Sequence, residues 1–243
     1  MIIRTLQEAE KVTLFGNTNA RILVKSSDDV GHILIDVKIN AGKATTIENE
    51  YLSSYRTHGY YCIDGEGIGL INNKNYLIKS HTLIVTSTQN SITIKPKTDM
   101  RIVSILCVNA NTSDTIIRSL EEINGTERDV AWGNGRSRRF LIQKDGMGFT
   151  LCNTTGNGNT NSYIQYRNHF ESCYYLSGTG MYEWDSGKHS IDTGEKQSTV
   201  FIMNEHDRHY MRIKKESVCL SIFTPPIKGD ERHNFSHGKV SSY

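Results

Sequence analysis

Histidine and glutamate are the residue types whose spacing points to chemistry here, and they gather in the second half of the chain. Asn168-His-Phe-Glu171 is followed after six residues by Gly178, and further on comes His206-Asp-Arg-His209. On a strand, residues two apart project from the same face, so His169 and Glu171 would stand side by side. A later strand end carrying His209 would bring an imidazole to that carboxylate inside a small barrel. Such a set suits a mononuclear Fe, Mn, Zn or Ni site. The same residues also serve as ordinary solvated positions, and spacing alone leaves both readings open.

The elements around them read as strands. Short β-branched or aromatic runs such as His32-Ile-Leu-Ile-Asp-Val-Lys-Ile39, Thr82-Leu-Ile-Val-Thr86, Thr199-Val-Phe-Ile-Met203 and Val218-Cys-Leu-Ser-Ile-Phe223 are punctuated by Gly, Asn, Asp and Ser. That pattern predicts an all-β sandwich or barrel. Helix is expected only as short openings at Leu6–Val12 and Asp114–Ile123. The runs also recur. Ile2-Ile-Arg-Thr-Leu6 returns as Ile116-Ile-Arg-Ser-Leu120, and Asn19-Ala-Arg-Ile-Leu-Val24 as Ser137-Arg-Arg-Phe-Leu-Ile142. Tyr60-Tyr-Cys-Ile-Asp-Gly-Glu-Gly67 returns as Cys173-Tyr-Tyr-Leu-Ser-Gly-Thr-Gly180. Matches in one order at a near-constant offset indicate two homologous domains, residues 1–112 and 113–243, joined in the polar stretch Asn109–Asp114.

Composition narrows the function classes. The chain has 243 residues, 22% of them charged, with a formal net charge of +2. So even a balance gives no electrostatic footprint for nucleic acid or an acidic membrane surface. No run approaches the roughly 18 apolar residues of a spanning helix. The opening residues carry charge where a secretion signal needs an apolar block. The five cysteines form no CxxC pair. Together these predict a cytoplasmic protein with buried, reduced thiols and neither nucleic acid nor membrane as partner.

Residues 115–243 resemble ectoine synthase, a small metal-dependent member of the cupin superfamily. The likeness is carried by Gly125-Thr-Glu-Arg-Asp-Val130, Lys144-Asp-Gly-Met-Gly-Phe149, Tyr166-Arg-Asn-His-Phe-Glu171, Glu205-His-Asp-Arg-His-Tyr210 and Phe223-Thr-Pro-Pro-Ile-Lys-Gly229. The first half is similar only as a diverged copy. The resemblance implies two tandem cupin-type jelly-roll barrels, a bicupin. It also implies a hydro-lyase that closes N-γ-acetyl-L-2,4-diaminobutyrate into ectoine, an osmolyte, with loss of water. The substrate is then an acylated diamino acid, and the cofactor a divalent transition metal, Fe(II) first. By position in the family pattern, Glu171 and His209 are metal ligands. Arg139, Thr154, Phe223 and Trp132 bind substrate, with Arg139 pairing its carboxylate, and Tyr166, His233 and Glu231 are catalytic.

The pattern breaks at one ligand. The family carries a tyrosine eight residues before the final histidine of His-Asp-Arg-His; here Phe201 stands there, and a phenyl ring cannot ligate. Either another oxygen replaces the tyrosine's, with Tyr175, four residues after Glu171 on the same strand face, as the candidate, or the metal is weakly held and activity is reduced or changed. In the first half the Glu171 position becomes His58, the His-Asp-Arg-His segment becomes Thr88-Gln-Asn-Ser91, and the Phe-x-Pro-Pro tail is missing. That half is expected to be a non-catalytic partner, making either a homodimer or an intramolecular pseudo-dimer. The rival readings are a small-molecule-binding or regulatory cupin without catalysis, and a related cyclase or hydrolase with a changed substrate.

Overall fold

The apolar runs become strands that are buried on both faces. The computed structural model describes residues 1–14, 18–47, 54–87, 91–112, 114–194, 198–235 and 239–242. In it Thr199–Met203 is buried at all five positions, and Met100–Cys107 at seven of eight. Alternation still sorts their side chains. Val103, Ile105 and Cys107 join one cluster, while Met100, Ile102 and Leu106 join a second. Val200 and Ile202 enter that same first cluster, and Phe201 and Met203 a third. The first cluster draws on both halves of the chain and is the core between two barrels; the other two fill the barrel interiors. Continuous apolar runs are what strands buried on both sides require.

Two antiparallel sheets follow the same path. One runs through Ile2–Thr5, Thr199–Met203, Phe170–Trp184, His209–Thr224, Thr150–Gly156, Gly135–Leu141 and Asp129–Ala131. The other runs through Ile116–Ser119, Thr82–Ser87, Thr57–Asp64, Met100–Cys107, His32–Ile39, Thr18–Val24 and Glu10–Leu14. A four-stranded sheet, Thr45–Ile47, Ile92–Pro96, Gly67–Ile71 and Lys74–Ile78, completes the N-terminal barrel. In the C-terminal barrel the 15-residue strand Phe170–Trp184 and the 16-residue strand His209–Thr224 carry the pairing onward. The architecture is the expected all-β pair of tandem jelly rolls.

The opening strand of each half lies in the other half's barrel. Ile2–Thr5 pairs with Thr199–Met203, and Ile116–Ser119 pairs with Thr82–Ser87. Each exchanged strand is tied back by an arginine. Arg4 reaches Asp28 (2.9 Å) and the Leu23 carbonyl, and Arg118 reaches Asp145 (2.9 Å) and the Phe140 carbonyl (2.6 Å). The helices expected at these openings shrink accordingly. Leu6–Ala9 is only a turn before the strand Glu10–Leu14, and the second opening is strand up to Ser119, with one helical turn at Leu120–Ile123. A capping box is formed there, the Ser119 hydroxyl accepting from the Glu122 N–H (3.3 Å) and the Glu122 carboxylate from the Ser119 N–H (2.7 Å). Pairing each opening as an edge strand won over the local helix signal.

The inter-barrel core also holds polar ties. The Tyr174 hydroxyl donates to Asp36 across the joint (2.8 Å), and Arg101 Nε donates to the same Asp36 oxygen (2.8 Å). Asn153 Nδ2 donates to the Tyr61 hydroxyl (2.9 Å). Because both barrels share one core, Leu220→Ala should cost about 2–5 kcal/mol and leave a single unfolding transition. Urea unfolding followed by tryptophan fluorescence and circular dichroism checks this; two separated transitions would contradict the shared core.

Candidate active site

The interiors of the two barrels differ in chemistry. The N-terminal one is filled by aliphatic side chains, among them Ile35, Val37, Ile71, Ile84, Ile92 and Ile94. The C-terminal one is lined by Trp132, Tyr166, Tyr182, Phe223, two thiols and several hydrogen-bonding groups around a cavity that opens to solvent.

Glu171 and His209 both line this cavity. Glu171 is buried on the strand Phe170–Trp184, where its Oε1 accepts from the Cys173 thiol (3.2 Å). Burial pushes its carboxyl well above the ordinary carboxylate range, and the neighbouring Cys173 adds to the shift. His209 begins the strand His209–Thr224, and its Nδ1 is tied to the Asp207 carbonyl (2.9 Å). A carbonyl can only accept, so Nδ1 carries the proton. Burial holds the ring neutral, its pKa pushed down to about 4, so Nε2 is left with the lone pair. A buried carboxyl and an oriented imidazole lone pair fit a divalent metal. Among the described residues no three His, Cys, Asp or Glu side chains converge on one point, so a third donor must come from another residue type.

That donor is not Tyr175. Its hydroxyl donates to the Tyr182 hydroxyl (3.2 Å) and lies 3.2 Å from Met211 Sδ, and the side chain stands outside the cavity lining. Besides Tyr166, the phenol that does line the cavity is Tyr182, which the sequence reading missed. Its ring stacks on Phe201 (centroids 4.0 Å apart) and on His209 (5.0 Å). Phe201 is thus covered by a neighbouring phenol. Glu171 and Tyr182 lie an odd number of residues apart, so strict alternation puts them on opposite faces. Register shifts between Tyr175 and Gly180 reset the alternation and turn Tyr182 inward.

Arg139 is buried at 1% exposure in the cavity wall. Its Nη2 donates to the Glu231 carbonyl (2.6 Å), and Nη1 stands 3.6 Å from the Glu231 carboxylate. Nε and Nη1 have no hydrogen-bond partner among the described residues. Glu231 itself stays outside the lining, accepting from the backbone N–H groups of Lys228 (2.6 Å) and Gly229 (2.8 Å). Burial would raise its pKa, but these backbone donors and Arg139 hold it below the usual carboxylate range. Glu231 therefore fixes Arg139 and does not touch the cavity, a correction to its expected catalytic place.

The other expected residues converge. Tyr166 and His233 line the cavity, with the phenol hydroxyl 3.1 Å from His233 Nε2 and His233 Nδ1 2.9 Å from Ser241 Oγ. Burial, then the nearby His209 and Arg139, push His233 down to about 3. Phe223 meets Tyr166 edge to face (5.1 Å), Thr154 Oγ1 donates to Ser221 Oγ (3.2 Å), and Trp132 Nε1 donates to the Thr155 carbonyl (2.9 Å). All three line the cavity. His169 does not: it precedes the strand and its Nδ1 donates to the Pro225 carbonyl (2.8 Å). Cys173, Cys219 and Ser221 line the wall between Glu171 and Thr154 and carried no spacing signal. In the N-terminal barrel His58 pairs with Leu106 as Glu171 pairs with Phe223, yet its Nε2 donates to the Tyr55 carbonyl (3.1 Å). Residues 88–90, counterparts of His206-Asp-Arg-His209, and residues 113 and 195–197 lie outside the described residues.

Fold and cavity together define a cupin-type barrel whose interior holds a polar, aromatic-lined cavity. Residues 115–241 match the ectoine synthase family, and the chain belongs to that family of hydro-lyases. The match begins at residue 115, so most of the N-terminal barrel lies outside it. L-ectoine synthase of Oceanobacillus iheyensis is 37% identical over 123 residues, covering 49% of this chain and 91% of that protein. The Vibrio cholerae L-ectoine synthase is 42% identical over 121 residues, 49% of this chain and 85% of its own length. Over the whole chain the fold is similar to Ylba from E. coli, with a TM-score of 0.70, 12% identity, and 92% and 90% of the two chains covered. It is also similar to oxalate decarboxylase from Bacillus subtilis, with a TM-score of 0.68, 10% identity, and 94% and 77% covered.

The site's titrations set a stability test. In metal-stripped protein Glu171 is held protonated in the fold, while in the unfolded chain it ionises above its ordinary value of 4.5. Its contribution is therefore fully present below that value and is lost as pH rises. Glu171→Gln should be more stable than the parent chain at pH 7, with the gap closing as pH falls toward 4.5. The buried His209 and His233, shifted from 6.5 to about 4 and about 3, act in the opposite sense: both proteins lose stability as pH falls below 6.5, about 1.4 kcal/mol per pH unit for each histidine. Urea titrations at pH 7 and pH 5 measure both effects.

Proposed function

We propose that the C-terminal barrel closes N-γ-acetyl-L-2,4-diaminobutyrate into ectoine with loss of water. The observation that carries this reading is the buried Arg139 in the wall of the cavity that Glu171 and His209 also line: among the described residues its Nε and Nη1 make no hydrogen bond, and Nη1 has only the Glu231 carboxylate at 3.6 Å. Unsatisfied guanidinium donors at a buried position call for an anionic guest, and the free carboxylate of this substrate answers. Holding that end at Arg139 folds the flexible chain against Trp132 and Phe223 and brings amine and amide together, converting an encounter into a ring closure.

The ring closure forms a C–N bond from the amine to the amide carbon and breaks the carbonyl C–O bond. The attacking nitrogen gives up two protons, and the departing oxygen leaves as water. His233 is neutral and hydrogen-bonded to Tyr166, so the pair relays the two protons, one at a time, from the attacking nitrogen to the departing oxygen. Glu171, His209 and Tyr182 would hold a divalent transition metal, Fe(II) first, which would supply Lewis acidity toward the amide oxygen. Glu171 is poised for a cation, since a buried carboxyl held neutral by desolvation ionises when positive charge arrives.

The N-terminal barrel is read as a diverged copy that shows no site of its own among the described residues: its interior is packed largely with aliphatic groups and His58 bonds a backbone carbonyl. It takes the place a second subunit would fill.

Incubating the purified chain anaerobically with Fe(II) and the acylated diamino acid should yield ectoine by chromatography. Glu171→Ala should abolish product, and Arg139→Ala should raise KM at least tenfold. Folded, metal-loaded protein that makes no ectoine overturns this reading and leaves a binding role or a changed substrate. Tyr182→Phe should weaken metal binding about tenfold, the order of effect of perturbing a ligand's surroundings or more, whereas Tyr175→Phe should stay within about twofold, as equilibrium dialysis would show.

A further inference from the structure

We infer that His32, a residue of the N-terminal barrel, is a positioning residue for the site in the C-terminal barrel. The inference rests on the metal-assisted reading above and says what the tandem arrangement adds to it.

His32 is 3% exposed and touches no part of the cavity. Its Nδ1 lies 2.9 Å from Thr224 Oγ1 and its Nε2 lies 2.9 Å from Ser172 Oγ. Both partners belong to the other barrel, and both follow a cavity residue directly. Ser172 comes after Glu171, and Thr224 after Phe223. Glu171 and Phe223 are opposite each other in the pairing of their two strands. Side chains alternate along a strand, so with Glu171 and Phe223 turned to the cavity, Ser172 and Thr224 face the joint. One imidazole therefore bridges the backs of two adjacent strands at the level where their fronts carry the carboxylate and an aromatic wall.

The ring is suited to this. It is a rigid spacer with a nitrogen at each end, and each hydroxyl both donates and accepts, so a neutral ring in either tautomer satisfies both bonds. Its approach depends on the preceding residue. Gly31 has φ +77, and a Cβ there would stand 2.7 Å from Thr224 Cγ2. A glycine is what lets the strand His32–Ile39 begin so close to Thr224. Removing the ring leaves two buried hydroxyls unpartnered and frees the strand ends to slide. A displacement of about 1 Å at a reacting group costs up to about a hundredfold in rate.

The test uses the full chain loaded with Co(II), read by its d–d absorption spectrum and by turnover. His32→Phe, which refills the space without the two bonds, should weaken Co(II) binding about tenfold and shift the d–d bands. It should lower kcat at least tenfold with KM changed by less than about threefold, the split expected when alignment rather than substrate binding is lost. His32→Gln should recover part of both losses. Ser172→Ala, which keeps the ring, should show the same signature more weakly and add little on top of His32→Phe, since the two act through one bond. If His32→Phe fails to fold, Ser172→Ala and Thr224→Val carry the test. Unchanged Co(II) affinity, spectrum and kcat beside a lowered melting temperature would make His32 a structural tie only and overturn the inference while leaving the site reading intact. A parent chain that neither binds Co(II) nor turns over would overturn the site reading, and this inference with it.

Discussion

The structure depends on strands that are buried on both faces. Over residues 170–176 and 217–224 the two long strands have one face in the C-terminal cavity and the other in the core between the barrels. Tyr174, Leu220 and Ile222 pack into the joint, while Cys173, Cys219 and Phe223 point into the site. Each fully buried Leu or Ile contributes about 1.5–3 kcal/mol relative to exposure, so the joint is a large part of what keeps both barrels folded. It also means that the back of the site is not solvent. A shift in the N-terminal barrel is transmitted to the strands carrying Glu171 and His209, because a close-packed interior has little slack.

Within the cavity the governing constraint is desolvation. A charge taken out of water must be paired or be neutralised. Glu231 and Arg139 follow the first course, with the carboxylate further held by backbone donors. Glu171, His209 and His233 follow the second, each shifted toward its neutral form mainly by burial. The result is a site with few free charges of its own, and two guanidinium donors in its wall without partners among the described residues. An incoming anion at one end and a cation beside Glu171 would restore the balance that burial removed.

Much of this was legible in the residues. Alternation and turn punctuation are local, so the all-β class followed from Thr199-Val-Phe-Ile-Met203 and its like, and the doubled Ile-Ile-Arg-x-Leu openings exposed the repeat. Arg139, Thr154, Tyr166, Phe223 and His233 do share one cavity with Glu171 and His209. The misses have non-local causes. The openings carry a genuine helix-start signal, but pairing across the joint, which no local pattern encodes, turned residues 2–5 and 116–119 into strands. Counting in twos from Glu171 does place Tyr175 in the barrel interior, but it stands outside the cavity lining, while the irregular pairing between Tyr175 and Gly180, which no count foresees, turns Tyr182 to the cavity. His169 was counted as strand although the strand begins one residue later.

The same two-faced strands place different demands on the two faces of each barrel. Positions facing the N-terminal interior answer only to packing, and there Ile, Val and Met close the space that the C-terminal barrel leaves open. Positions on the other face answer to the partner barrel: Asp36 must meet Tyr174, and Tyr61 must meet Asn153. An interior polar group can be exchanged for an aliphatic one at little cost if its neighbours change too, whereas stripping one member of a buried cross-joint pair strands the other. Changing the interior while keeping the joint is thus the inexpensive direction of change for either barrel, and here the two interiors differ while the joint pairs are made.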